Sequence, residues 1–173
     1  MSDPAAAPVE APEVRHAGPV LGPLARWTAV AGGALTVLIA LAVTASVLKR
    51  WATGGGIDGD FELVQIGTAL AAFCFLPYCQ ARRGNIVVDT FTNALPARVR
   101  NTLDGLWDLV LAALVALMAW RLFVGAAEAF RTGTTSMVLG IQAGYAVAAS
   151  AVLLALLAVT AAATAVMAIR GGR

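Results

Sequence analysis

Long uncharged apolar stretches alternate along this chain with short charged breaks. Residues 27–48 carry no charge and are bounded by Arg26 on one side and Lys49-Arg50 on the other. A stretch of that length covers the roughly 30 Å of a bilayer's hydrocarbon core, and it predicts a first span. Residues 63–81 predict a second, closed by Arg82-Arg83 and bent in its last third by Pro77. The third is shorter. Only residues 109–120 are strictly uncharged, too few to cross alone. Pro96 suits the first turn of a helix, so one helix is expected from Pro96 to about Val124, crossing over residues 103–124. Its first turns, with Arg98, Arg100, Asp104 and Asp108, are then expected at or outside the bilayer surface. A last uncharged run, residues 132–169, predicts a loop over 132–140 and a fourth span over 142–168.

Between the second and third spans lies a charged, amphipathic island, residues 82–104. On a helical wheel Val88, Phe91, Leu95 and Val99 fall on one side, and Asp89, Asn93, Arg100 and Asp104 on the other. A helix that short and two-faced lies in the headgroup region with its apolar side down, and one is expected over 86–95. Residues 1–23 are rich in Pro and Ala and carry Asp3, Glu10 and Glu13. They are expected to form a disordered tail, and their acidic start makes a poor signal peptide. The expected fold class is therefore all-α: a polytopic integral membrane domain over 24–170, with four transmembrane helices and a short interfacial amphipathic helix between the second and third.

Composition agrees. The chain is 60% hydrophobic and 13% charged, with mean hydropathy +0.80, whereas soluble domains run near a quarter charged. The formal charge is only +2 and no basic cluster is interleaved with aromatics, so nucleic acid is not an expected partner. Basic residues set the orientation. With the N-terminus inside, eight (Arg15, Arg26, Arg82, Arg83, Arg98, Arg100, Arg170 and Arg173) fall on the cytoplasmic side and four (Lys49, Arg50, Arg121 and Arg131) opposite. That asymmetry places both termini in the cytoplasm.

Little in the chain suggests chemistry. Cys74 and Cys79, five residues apart on a helix, point about 140° from each other and read as small buried hydrophobes. The one histidine, His16, lies in the tail, so no axial haem ligand stands within a span. Gly54–Gly59 has no Lys-Ser/Thr sequel and is not a phosphate loop. Asp104 and Asp108, with Arg100 one turn before, read as a surface ladder. Glu62, at the mouth of the second span, is either a functional acid or an interfacial residue favoured near a helix N-terminus. The broken, inverted-repeat helices of secondary transporters are not recognisable. Small residues four apart (Ala29 with Gly33, Ala151 with Ala155, Ala158 with Ala162) favour close helix packing inside the domain. No enzyme and no cofactor are expected; a bundle without a site, but with an interfacial shelf, reads as a partner for something larger.

The pattern resembles a known family, the small membrane subunit (Q-type, DctQ-like) of the tripartite ATP-independent periplasmic, or TRAP, transporters. Glu62-Leu63 opening the second span carries the likeness, with the Arg82–Asp89 stretch ending it, then Leu95-Pro96-Ala97-Arg98 and Leu103, and more faintly Thr134–Tyr145. The likeness covers roughly residues 24–169. Asn85 stands where the family usually has His, and Gln142 where Pro is common; a role of that His could pass to Asn85 only through amide hydrogen bonds. The resemblance implies a bacterial inner-membrane subunit that scaffolds a large, elevator-type M subunit. That complex takes up an organic acid, coupled to a cation and delivered by a periplasmic binding protein. Expected interface or membrane-anchoring residues are Glu62, Arg82, Arg83, Asn85, Val88, Asp89, Phe91, Leu95, Arg98 and Arg100, with lipids and the two other subunits as partners. Two other classes stay open: a small self-assembling carrier relying on Glu62, and a four-helix membrane thiol oxidoreductase relying on the cysteines.

Overall fold

A computed structural model describes residues 18–82 and 97–170. Four helices make up nearly all of them: α1 Gly18–Thr53, α2 Asp60–Ala81, α3 Ala97–Thr132 and α4 Ala143–Ile169. Each contains a stretch long and apolar enough to cross a membrane. The all-α, four-span reading therefore holds. The interfacial helix expected over 86–95 lies outside the described residues, with Arg83, Asn85, Val88, Asp89, Phe91 and Leu95. Arg98 and Arg100 sit in the first turn of α3, and their side chains also lie outside that set.

Two helices run further than the charge pattern indicated. α1 begins at Gly18, inside the stretch expected to be a disordered tail, so residues 18–23 are helical instead. Pro19 falls in the first turn, where its missing N–H costs no bond. The early turns also have something to pack on: Ala25 and Ala81 are fully buried against each other, with Leu21 and Tyr78 beside them. α3 continues past Val124 to Thr132. There Ala126 is buried, and the Phe130 ring covers Gly144 and meets Tyr145 edge-on at 5.1 Å between centroids. Packing against α4 thus carries the helix beyond its uncharged core.

The helices are not neighbours in chain order. α1 packs on α2, α2 on α4, and α4 on α3, whereas α1 barely touches α4. Among the described residues α2 and α3 make no close backbone contact. The result is an open layer ordered α1–α2–α4–α3, with α4 inside it and α1 at one edge. α4 is accordingly the most buried helix, through Gly144, Ser150, Ala151, Leu154, Leu157, Ala158, Thr160, Ala161, Thr164, Ala165 and Ala168. These are mostly small residues, the composition that lets helices approach closely where lipid supplies no hydrophobic drive. The buried Thr160 hydroxyl donates to Leu156 O at 2.7 Å, which keeps a polar group satisfied inside the layer.

The closest approaches are not made by the expected small-residue pairs. Gly33 has nothing within 4 Å of where a Cβ would stand, and Ala155 is exposed. The approaches are made instead by Gly32 against Ala71 and Cys74, by Gly67 beneath Ile39, and by Gly105 against Ala165 and Ile169. Ala151 and Ala158 are buried as expected. One side of the layer, here the termini side, carries the start of α1 and the end of α4. The opposite, loop side carries the α1–α2 and α3–α4 turns.

Candidate functional site

Polar side chains inside the layer gather at its two ends. On the termini side the amide of Gln80 is the centre. The residue is only 2% exposed, and its Nε2 donates to Asp108 Oδ1 on α3 and to Thr164 Oγ1 on α4, each at 3.0 Å. Thr164 in turn donates to Ala161 O at 2.9 Å. Three helices are pinned through one side chain. A carboxylate at this depth is tolerated because a neighbouring helix answers it. Two residues on, Arg82 closes α2 and lays its guanidinium over the Tyr78 ring, 5.1 Å from the centroid. Its Nε is buried and has no hydrogen-bond partner.

On the loop side Glu62 is more exposed and binds backbone. Val138 N–H and Leu139 N–H donate to the two oxygens of Glu62, each at 2.9 Å. The α3–α4 turn that Glu62 grips is itself ordered. Ser136 N–H donates to Ile141 O at 2.8 Å, Ala143 N–H to Thr134 O at 2.9 Å, and Thr135 bridges Gln142 antiparallel. Gly59 sits at φ +79° directly beneath Leu139, and a side chain there would overlap Leu139's isobutyl group. Beside it, Ser46 Oγ donates to Asp60 Oδ2 at 2.7 Å and accepts Ile57 N–H at 3.1 Å, with Arg50 paired to the same carboxylate at 3.4 Å. The turn so held presents Met137, 99% exposed.

Below that turn a cleft of about 480 Å³ opens between α2 and α3, floored by α4. Glu62, Gln65 and Ser136 stand at its rim, and Ile66, Leu70, Phe73, Leu122 and Val147 line it deeper. Its one acid already spends both oxygens on the α3–α4 turn. Among the described residues no three His, Cys, Asp or Glu side chains converge. The geometry is that of a joint, with its polar bonds made within the chain.

Of the expected interface residues, Glu62 and Arg82 are described, and the structure does not bring them together. They stand at opposite ends of α2, twenty residues and hence roughly 30 Å apart. Gln80, Asp108 and Thr164, which knit the helices, were not singled out by sequence as a set. A family model described as the DctQ component of the tripartite ATP-independent periplasmic transporters matches residues 39–171. Comparisons with curated proteins and with solved structures gave no match.

Proposed function

The chain belongs to the DctQ family, the small membrane component of TRAP transporters, and on that footing we propose that it is the scaffold of the membrane part, widening and bracing a larger subunit that moves the substrate. The family works alongside a DctM component and a periplasmic binding protein. In this reading the DctM partner is the moving, elevator-type subunit, uptake is coupled to a cation, and the substrate is an organic acid handed over by the binding protein. The protein resides in the bacterial inner membrane with its termini side in the cytoplasm. The eight-to-four distribution of basic residues supports that orientation.

One observation carries the scaffold reading: the four helices form an open layer, α1–α2–α4–α3, in place of a closed bundle. A layer leaves broad apolar faces along α1 and α3, where Val37, Leu41, Leu114 and Leu117 are all exposed. Glu62, the acid a self-assembling carrier would need, is committed to the α3–α4 turn, which favours the scaffold over the carrier. Cys74 and Cys79 stand half-buried on α2, and Cys74 is packed against Gly32, a poor setting for a thiol oxidoreductase.

Reconstitution tests this. Liposomes containing this chain alone, under an imposed sodium gradient, should take up no more organic acid than empty vesicles. Liposomes holding the chain with its DctM partner and binding protein should transport. Uptake by the chain alone would refute the scaffold role.

A further inference from the structure

The cleft between α2 and α3 stops partway through the layer. At its inner end Phe73 of α2 and Leu122 of α3 both pack on the cluster of Val115, Ala119, Leu154, Leu157 and Ala158. Beyond that stop Gln80 bonds Asp108 and ties α2 to α3. From Glu62 at the rim to Phe73 is eleven residues along α2. At 1.5 Å per residue that is roughly 16 Å, about one leaflet of a 30 Å hydrocarbon core.

The lining changes chemistry in order with depth. Glu62 is outermost, Gln65 lies one helical turn further in, roughly 4.5 Å, and Ile66, Leu70 and Phe73 follow. Each Glu62 oxygen accepts one N–H from the α3–α4 turn, which leaves each a second lone pair. Among the described residues Glu62 has no cationic partner, and no Lys or Arg lines the cleft. The side-chain amide of Gln65 makes no hydrogen bond among those residues and has donors to spare. Read from the water inward, the cleft thus offers an acid, then a donor, then hydrocarbon. An aminophospholipid presents the complementary sequence: ammonium, then phosphate and ester oxygens, then acyl chain.

We propose that this cleft binds one phospholipid of the loop-side leaflet, with an acyl chain lying between α2 and α3 on α4 and an ammonium headgroup at Glu62. A span of the large subunit, or of a second copy of this chain, does not fit. A helix about 10 Å across would fill roughly 1,300 Å³ over that depth, whereas the cleft holds about 480 Å³. It would also have to continue through the stop made by Phe73 and Leu122. An organic acid is disfavoured by the like charge of Glu62, and so is an anionic lipid. Bilayer lipid then completes the wall of the layer where the helices part, which goes beyond the scaffold role.

The test uses the full-length chain, purified in mild detergent, stripped of lipid and titrated with phosphatidylethanolamine or phosphatidylglycerol. Native mass spectrometry counts the lipid bound. Wild type should hold one phosphatidylethanolamine, about fivefold tighter than phosphatidylglycerol, the size of one partly exposed ion pair. Ala69→Trp, which puts an indole into the cleft, should lose that single lipid. Leu114→Trp, on the exposed face of α3, should keep it, both at an unchanged helical circular dichroism signal. Glu62→Gln should still bind one lipid, without headgroup preference. Equal binding by wild type and Ala69→Trp would mean annular lipid only and would overturn the proposal, as would phosphatidylglycerol bound by wild type as tightly as phosphatidylethanolamine. In membranes holding the whole complex, a diazirine analogue of leucine in place of Leu70 should crosslink to phospholipid. Capture of a peptide of the large subunit there would show that protein fills the cleft and would also overturn it.

Discussion

The two ends of the helix layer are fastened by different physics. On the termini side a buried amide reaches across to an acid and a hydroxyl on two other helices, side chain to side chain. On the loop side the Glu62 carboxylate takes two backbone N–H groups of the α3–α4 turn, in contact with the surroundings. The first kind fixes how helices stand against one another. The second fixes the shape of a turn, and at that end it is the buried Ser46 hydroxyl, bonded to Asp60, that ties α1 to α2. Burial decides the energetics, since a polar group stranded away from water costs more than an exposed bond returns.

The largest expected effect follows from breaking the buried end. Gln80→Leu leaves Asp108 without its α2 donor and should cost about 2 kcal/mol, seen as a melting temperature lower by several degrees in detergent. The double variant Gln80→Leu/Asp108→Leu should recover part of that loss, because both stranded groups are gone. A double variant no better than the single would mean that Asp108 is satisfied by water, and the contrast between the two ends would collapse. Gly59→Val is expected to have a smaller effect, about 1 kcal/mol for forcing a β-branched residue to φ +79°. It should also displace Leu139, read as faster proteolysis of the α3–α4 turn at an unchanged helical circular dichroism signal. The smallest effect belongs to Glu62→Gln. An amide nitrogen cannot accept, so one of the two N–H bonds is lost. Hydrogen exchange at Val138 and Leu139 should speed up severalfold while the melting temperature stays put. A fall in melting temperature matching that of Gln80→Leu would show that the exposed clasp holds helices as well.

Much of this was readable from charge spacing. Arg26 and Lys49 bracket the first span, Arg82 ends the second, and the four-helix count follows from such boundaries. Helix ends were less readable, because α1 starts where Ala25 finds Ala81 and α3 ends where Phe130 finds Gly144, contacts with no local signature. The register of the small residues was missed by one, Gly32 for Gly33. Every face of an Ala-rich helix looks alike until a neighbour selects one. Glu62 was legible as a notable acid, but its partners lie 76 and 77 residues away in a turn. Gln80 gave no sign at all, since a lone amide at the end of an apolar run is ordinary.

The neighbour order also governs how the protein is made. α1 with α2, and α3 with α4, are two hairpins stitched by a single seam, α2 against α4. Synthesis delivers Gln80 to the membrane 84 residues before Thr164, the hydroxyl it will bond. A chain interrupted before α4 therefore lacks the one helix against which both α2 and α3 pack. By the same logic the two hairpins, synthesised as separate pieces, should find each other through that seam together with the Gln80–Asp108 bond and the Glu62 clasp.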